Sequence, residues 1–215
     1  MSVPSALILD LDRTLIDLQS FTDYQAALAD VQSLVGDWAD VDVPVTDWDR
    51  ATFSCMAVLH VFLEDPRWQA ISEAIAVHER AAISQSHLMP TVADCTSVFC
   101  AIPTAVVTLL PTDVAIAVLD FHNLDLGREI DVVIGRNPRI RPKPEPDGVL
   151  EACRRLAVPP DEAVMIGDST WDAEAALAAG ASFVGVPPDG FGAEFTSRIE
   201  VALTMRKALQ SLGTV

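Results

Sequence analysis

The stretch that decides the fold is ALILDLDRT, residues 6–14. Its first four residues form a continuous apolar run, which is typical of a strand buried on both faces of a parallel sheet. The run stops at Asp10. Because residues two apart in an extended segment point to the same side, Asp10 and Asp12 place two carboxylates on one face at the strand end.

Four later apolar runs have the same character and are followed by turn or helix signals. They are Ala105–Val107, Val132–Ile134, Ala163–Ile166 and Ser182–Val186. Helical patterns lie between them, at Thr112–Phe121, Asp147–Leu156 and Trp171–Ala179. Strands that alternate with helices predict an α/β fold with a Rossmann-like parallel sheet, whose ligands bind at the carboxyl ends of the strands.

A long segment after the first strand departs from this alternation. From about Leu18 to about Cys100, the sequence shows helical periodicity and no convincing strand. The predicted helices cover Tyr24–Val35, Asp49–Leu63 and Trp68–Ser84. We therefore expect an all-helical cap over residues 18–100, placed as a lid above a core made of residues 1–17 and 101–215. A last amphipathic helix is expected near Phe195–Leu212.

Chemically active side chains follow four of the predicted strands. They are Asp10 and Asp12, Thr108, Lys143 in the proline-stiffened loop RPKPEP, Asp168 directly after its strand, and Asp172 about one helical turn beyond it. Because the carboxyl ends of parallel strands share one edge of the sheet, we expect these side chains to lie close together.

Charge balance predicts what this group of side chains binds. Carboxylates about 4 Å apart repel by roughly 4 kcal/mol per pair at an effective dielectric constant of about 20. The sequence offers only one nearby lysine, Lys143, to offset them. Hard oxygen ligands with a vacancy suit Mg²⁺, which would also let a phosphate dianion enter a negative cleft. We therefore predict Mg²⁺ and a phosphate-sized ligand at this site.

Two carboxylates at one strand end can divide the chemical work. An ionised aspartate beside Mg²⁺ and lysine can attack phosphorus in line. Its neighbour, with a pKa raised by like charge, can protonate the leaving oxygen and later activate water. Thr108 and Lys143 would hold the non-bridging oxygens and stabilise the charge that spreads over them.

These residues carry a family resemblance. The chain resembles the haloacid dehalogenase-like hydrolase superfamily, in the phosphoglycolate-phosphatase-like branch with a helical cap inserted after the first motif. The segment DLDRTLID, residues 10–17, resembles the first motif, and Thr108 matches the second. Lys143 matches the third motif in a Lys-Pro-x-Pro context, and Gly167 and Asp168 with Asp172 resemble the fourth.

The resemblance implies a role for each matched residue. Asp10 is implied as the nucleophile and a metal ligand, and Asp12 as the acid and base that also binds metal through its backbone carbonyl. Thr108 and Lys143 would bind phosphate. Asp168 would bind Mg²⁺, and Asp172 would support Lys143 or a metal-bound water. The implied activity is Mg²⁺-dependent hydrolysis of a small phosphate monoester through an aspartyl phosphate.

One position departs from the family pattern, which usually has glycine where this chain has Arg13. A Cβ atom there strains the turn if φ is positive, and a guanidinium beside the nucleophile can crowd or assist the substrate phosphate. Three readings stay open: a harmless outward-facing Arg13, a side chain that contacts substrate, and impaired catalysis.

Particular residues distinguish phosphate ester hydrolysis from the other reactions of the same superfamily. Cleavage of a carbon–phosphorus bond is excluded, because it uses a Schiff-base lysine from the cap and no lysine precedes Lys143. Dehalogenation of 2-haloacids is disfavoured by Asp12, which those enzymes lack. A sugar phosphomutase and a non-catalytic binding or regulatory protein remain as alternatives.

Composition limits the partners. The formal net charge of −17 disfavours nucleic acid and anionic membranes. The apolar runs fall short of the roughly 20 residues of a membrane span, and no leader pattern is visible, so we expect a cytoplasmic protein.

The partner expected is a small phosphorylated metabolite. Few basic residues lie in the cap (Arg50, Arg67 and Arg80), which disfavours a second phosphate or several carboxylates. The sequence leaves the oligomeric state open.

Overall fold

A parallel sheet organises the protein, which is seen here in a computed structural model that describes residues 3–39, 42–187, 191 and 196–214. Its strands are β1 (Ala6–Leu9), β2 (Ile16–Asp17), β3 (His87–Leu88), β4 (Thr104–Pro111), β5 (Val132–Arg136), β6 (Ala163–Gly167), β7 (Ser182–Gly185) and β8 (Glu200–Val201). Six of these described strands form one sheet in the order β5-β4-β1-β6-β7-β8, with every neighbouring pair parallel. The predicted α/β core is confirmed.

The described helices are α1 (Tyr24–Val35), α2 (Arg50–Val61), α3 (Trp68–Ala82), α4 (Thr96–Phe99), α5 (Thr112–Phe121), α6 (Asp147–Leu156), α7 (Thr170–Ala179) and α8 (Met205–Ser211). Two of them begin at aspartate caps. The Asp23 carboxylate accepts from the backbone N–H of Ala26 at 2.9 Å, and Asp49 accepts from that of Ala51 at 2.8 Å. These acceptors satisfy N–H groups that have no partner within the helix, which fixes where α1 and α2 start.

Both faces of β1 are buried, as its sequence predicts. Leu7 and Leu9 pack in a cluster with residues of α5 and α8, whereas Ala6 and Ile8 pack in a second cluster with residues of α6 and α7. All four side chains are fully buried. Because alternate residues of a strand face opposite sides, helix layers on both faces require the continuous apolar run.

The inserted helices have a core of their own. α1, α2 and α3 enclose a buried cluster that includes Leu59, Ile71 and Ile75. Trp171 of α7 also belongs to this cluster, and its indole Nε1 donates to the backbone carbonyl of Pro44 at 2.7 Å. The helical insertion therefore packs against the α7 residue that lies just beyond the end of β6.

One strand in the insertion was not predicted. β3 pairs antiparallel with β2, with Ile16 opposite Leu88, and the pair joins the start of the insertion to its later part. Two residues are too few to show a period of two in sequence, which is why this strand has no signal there.

The packing does not mark where the insertion ends. Val92 and Phe99 belong to the same buried cluster as Leu7 of β1, but so do Ala76 and Ala82 of α3. The division at residues 18–100 stays a prediction.

The predicted last helix is shorter than expected. It begins at Met205, where the Thr204 hydroxyl accepts from the backbone N–H of Lys207 at 3.3 Å. A continuous helix from near Phe195 is wrong, because β8 precedes α8 and pairs with β7; Phe195 itself lies outside the described residues. Within the described chain, no helix has the length and apolar character needed to cross a bilayer.

Candidate active site

The structure brings all six residues singled out by the sequence to one cavity. They are Asp10, Asp12, Thr108, Lys143, Asp168 and Asp172. The cavity has a volume of about 40 Å³ and lies between the carboxyl edge of the sheet and helices α1 to α3. Their convergence follows from the parallel topology, because each residue lies near the carboxyl end of a strand or in the loop that follows one.

Lys143 is the centre of the charged group. Its Nζ donates to Asp10 Oδ1 and to Asp172 Oδ1, each at 2.5 Å, and to the carbonyl of Val107 at 3.1 Å. Burial lowers the pKa of the ammonium, but the two carboxylates more than offset this and raise the pKa above its ordinary value. Lys143 is therefore a permanent cation that orients the Asp10 carboxylate.

Asp172 is held rigidly beneath the end of β6. Its Oδ2 accepts from the backbone N–H of Ser169 at 3.0 Å and from the Ser169 hydroxyl at 2.5 Å. The two residues form a capping box at the start of α7. Both carboxylate oxygens of Asp172 are therefore engaged, Oδ2 by Ser169 and Oδ1 by Lys143. These contacts suit a residue that supports Lys143.

Asp168 carries the feature that suits a metal ion. Its side chain is buried, and its Oδ2 accepts no hydrogen bond within the described part of the chain. Burial is the main cause that raises the pKa of Asp168 well above its ordinary value, and the carboxylates of Asp10 and Asp172 add to the effect. One oxygen from each of these three aspartates lies within 4.8 Å of the others. A buried carboxylate oxygen that accepts no hydrogen bond, with only the Arg13 Nε at 3.5 Å, fits a hard divalent cation held by Asp10 and Asp168.

Asp12 lies at the same edge but in a different environment. Its Oδ1 accepts from the backbone N–H groups of Leu18 and Gln19, each at 2.9 Å. Burial raises the pKa of Asp12 to about 7, while these two hydrogen bonds lower it and the Asp10 charge makes a smaller contribution. The sequence predicts a pKa raised by like charge; the charge of Asp10 does raise the pKa, but desolvation is the larger cause.

Thr108 lies within β4, which continues to Pro111 instead of ending at Thr108 as predicted. The pairing of β4 with β5 is irregular between Val107 and Pro111, so the strand is distorted where it borders the cavity. The Thr108 hydroxyl accepts from the backbone N–H of Leu110 at 3.1 Å.

Arg13 does not turn away from the site. Its Nε lies 3.5 Å from Asp168 Oδ2, and its Nη2 lies 3.0 Å from Asp47 Oδ2 in the loop before α2. Its φ of 62° is in the left-handed region, which costs a side chain roughly 1 kcal/mol. The harmless outward-facing reading is therefore wrong: the guanidinium bridges the inserted segment and the end of β6.

Sequence reasoning missed several residues that border the site. His60 of α2 places its Nε2 3.0 Å from the backbone carbonyl of Lys143, and Gln19, Tyr24 and Glu79 line the cavity. None has a local signal, because each reaches the site through contacts between distant parts of the chain.

The site has the arrangement of motifs found in a known family. A family model described as haloacid dehalogenase-like hydrolase matches residues 4–180. The chain belongs to the haloacid dehalogenase-like hydrolases. The resemblance inferred from the four motifs is therefore confirmed, and this chain is an enzyme of the hydrolase family.

Named relatives cover only part of the chain. Phosphoglycolate phosphatase from Escherichia coli strain K12 is 36% identical over 101 residues, which is 46% of this chain and 39% of that protein. Phosphoglycolate phosphatase from Shigella boydii serotype 4 is 33% identical over 111 residues, which is 51% of this chain and 43% of that protein. The matched segment thus spans less than half the length of these relatives.

Solved structures match over nearly the whole chain and establish the fold. A hydrolase from Pseudomonas syringae superposes with a TM-score of 0.72 at 22% identity and covers 99% of both chains. CbbY from Rhodobacter sphaeroides, solved in complex with phosphate, gives a TM-score of 0.68 at 23% identity and covers 93% of both chains.

Gly167 is needed for the close approach of Asp172. A Cβ atom at Gly167 would lie 2.6 Å from Asp172 Cβ, so Gly167→Ala must displace the capping box. We expect a loss of about 1–3 kcal/mol in the free energy of unfolding, measured by denaturant titration. Gly127→Ala is the control for backbone strain alone, because a Cβ atom at Gly127 would have no atom within 4 Å but the φ of Gly127 is 81°. We expect this variant to lose about 1 kcal/mol in the free energy of unfolding. A smaller loss for Gly167→Ala than for Gly127→Ala would contradict the steric account.

Arg13→Gly removes the cation beside Asp168 together with the left-handed strain. We expect Mg²⁺ to raise the melting temperature of this variant by more than it raises that of the wild type, because the ion then supplies the missing charge. Calorimetry without and with saturating MgCl₂ measures the difference. Asp47→Asn, which leaves the guanidinium beside Asp168, should respond like the wild type. An equal response of Arg13→Gly and wild type would contradict the expectation that Arg13 opposes Mg²⁺ binding.

Proposed function

We propose that this chain is a Mg²⁺-dependent phosphatase that hydrolyses a small phosphate monoester through a phosphorylated Asp10. The observation that carries the proposal is the buried Asp10 carboxylate, held 2.5 Å from Lys143 Nζ beside an oxygen of Asp168 that accepts no hydrogen bond within the described residues. An oriented nucleophile, a fixed cation and a vacant hard ligand are what in-line phosphoryl transfer requires. The partial match to phosphoglycolate phosphatases supports the same class of reaction.

Asp10 and Asp168 are the side chains that would hold Mg²⁺, and the backbone carbonyl of Asp12 is a third proposed ligand. When bound, the ion supplies positive charge that lets a phosphate dianion and the aspartates share the site. Lys143 adds a second positive charge, which stabilises the oxygens of the transferring group.

Asp10 is poised to act as the nucleophile. Burial raises its pKa to about 6, and Lys143 limits the increase, so the carboxylate is mainly ionised at neutral pH. An Asp10 oxygen forms a bond to phosphorus as the ester P–O bond breaks. Asp12, with its pKa near 7, gives its proton to the departing alcohol oxygen.

The second step returns the enzyme to its starting state. Asp12, now ionised, takes a proton from water as the water oxygen bonds to phosphorus and the bond from phosphorus to Asp10 breaks. Thr108 and Lys143 hold the phosphoryl oxygens in both steps. The products are inorganic phosphate, a free Asp10 carboxylate and a protonated Asp12, so atoms and charges balance.

Substrate entry requires movement of the inserted helices. A cavity of about 40 Å³ holds only a few water molecules, and Asp10 is 5% exposed. We therefore propose that α1 to α3 move away from the strand ends to admit the ester and close during the reaction, which excludes bulk water.

Asp10→Asn tests the proposed reaction. The change removes the nucleophile with little change in shape, and we expect at least a thousandfold loss of Mg²⁺-dependent p-nitrophenyl phosphate hydrolysis. Asp120→Asn, an exposed position on α5, is the matched control and should keep full activity. EDTA should abolish turnover of the wild type and MgCl₂ should restore it. Turnover that survives in Asp10→Asn would refute the mechanism, and no turnover of any phosphate ester by the wild type would favour a binding protein.

The pKa of Asp12 predicts a pH dependence that varies with the leaving group. An alkyl phosphate needs a proton on its leaving oxygen, so its kcat/KM should fall as the pH rises through about 7, where Asp12 loses its proton. p-Nitrophenolate leaves without a proton, so its ester should show a weaker decline. Asp12→Asn should likewise slow the alkyl ester more than the nitrophenyl ester. Identical pH profiles for the two esters would argue against Asp12 as the acid.

A further inference from the structure

A fully buried ion pair lies between the inserted helices and the sheet. Glu79 of α3 and Arg136, the last residue of β5, have side chains that are both 0% exposed. Arg136 Nη1 donates to Glu79 Oε1 at 3.1 Å, and Nη2 donates to Oε2 at 2.9 Å. This two-point geometry is that of an ionised carboxylate and a guanidinium.

The remaining bonds of Arg136 are also made by α3. Its Nε donates to the Ser72 hydroxyl at 3.0 Å, and its Nη2 donates to the Ser72 carbonyl at 3.0 Å. The charge of Arg136 is therefore cancelled by Glu79 and most of its N–H groups are occupied, so the guanidinium is unavailable to a ligand.

Glu79 is at the same time part of the wall of the Asp10 cavity. Its carboxylate interacts with Tyr24, whose pKa is raised by burial and also by the charge of Glu79, and Tyr24 lines the cavity together with Gln19 and Thr52. Beyond the aspartates and Lys143, the polar lining thus consists of one carboxylate and of neutral groups: a phenol, an amide, an indole N–H and the hydroxyls of Thr52, Thr108 and Ser169.

The described residues offer no second free cation to this wall. Among the described residues, Lys143 is the only Lys or Arg that lines the cavity, and in the proposed reaction its charge already serves Asp10, Asp172 and the phosphoryl group. None of the arginines of the insertion lines the cavity: Arg50 is exposed at the start of α2, Arg67 pairs with Asp65 at 2.8 Å, and Arg80 pairs with Glu73 at 2.6 Å.

We infer that Glu79 is a specificity-determining residue: by neutralising Arg136, it restricts the site to phosphate monoesters whose alcohol part is uncharged and carries hydroxyl groups. The inference rests on the proposed phosphatase function. A carboxylate or second phosphate on the substrate would be buried beside Glu79 without a cation, which is strongly unfavourable. Neutral hydroxyl groups instead find donors and acceptors on Gln19, Tyr24 and Thr52. This specificity would separate the chain from relatives named for phosphoglycolate, which carries a carboxylate.

A matched pair of substrates tests the inference on the wild-type enzyme. 2-Hydroxyethyl phosphate and 2-phosphoglycolate differ only in a terminal hydroxymethyl or carboxylate group. We expect kcat/KM to be at least a hundredfold higher for the hydroxyethyl ester. Equal kcat/KM values for the two esters, or a preference for phosphoglycolate, would overturn the inference. The proposed function would still stand in that case if the enzyme hydrolyses p-nitrophenyl phosphate and the hydrolysis depends on Asp10. Without any such hydrolysis, both proposals fail.

Glu79→Gln then tests the residue itself. The change keeps the size of the side chain and much of its hydrogen bonding but leaves the Arg136 charge uncancelled. We therefore expect kcat/KM for phosphoglycolate to rise, so that the ratio of kcat/KM for the hydroxyethyl ester to that for phosphoglycolate falls at least tenfold. Glu73→Gln, on the exposed side of the same helix, should leave the ratio unchanged. A merely structural role would lower kcat/KM for both esters equally, and an unchanged ratio in Glu79→Gln would overturn the assignment. If that variant does not fold, the wild-type ratio decides.

Discussion

The charged group at the strand ends depends on one ammonium. Lys143 contacts Asp10 and Asp172 while Asp168 lies within the same small volume, so three buried carboxylates share one lysine and the guanidinium of Arg13, 3.5 Å from Asp168. Burying charges without partners is among the most unfavourable arrangements a protein can contain. The excess of negative charge makes Asp10 dependent on Lys143 for its orientation and makes Asp168 a natural place for a divalent cation.

The parallel sheet is what makes this group possible. Lys143 is 133 residues from Asp10 in sequence, and Asp172 is 29 residues from Lys143, yet all three meet because β5, β4, β1 and β6 are successive parallel neighbours in the sheet. The fold also supplies precise supports. Gly167 leaves room for Asp172, and the capping box with Ser169 fixes the carboxylate that faces Lys143. The contact with Lys143 and the capping of α7 are therefore made by the same side chain.

The sequence predicted the features that depend on local pattern and missed those that depend on pairing between distant residues. The apolar run before Asp10 identified a buried strand, and the rule that parallel strand ends meet was enough to predict that Asp10, Lys143 and Asp168 would lie together. The strand β3 has too few residues to show a period. The pair of Glu79 and Arg136 joins positions 57 residues apart on different elements. Neither pattern nor composition could reveal it.

The most direct test of the account is to trap the enzyme during turnover. Enzyme mixed with Mg²⁺ and a phosphate ester is quenched in acid, digested at low pH and analysed by mass spectrometry. The account predicts one phosphoryl group on the peptide that carries Asp10, formed and lost at rates compatible with turnover. Continued hydrolysis with no phosphorylated peptide, or with the phosphoryl group on another residue, would contradict it.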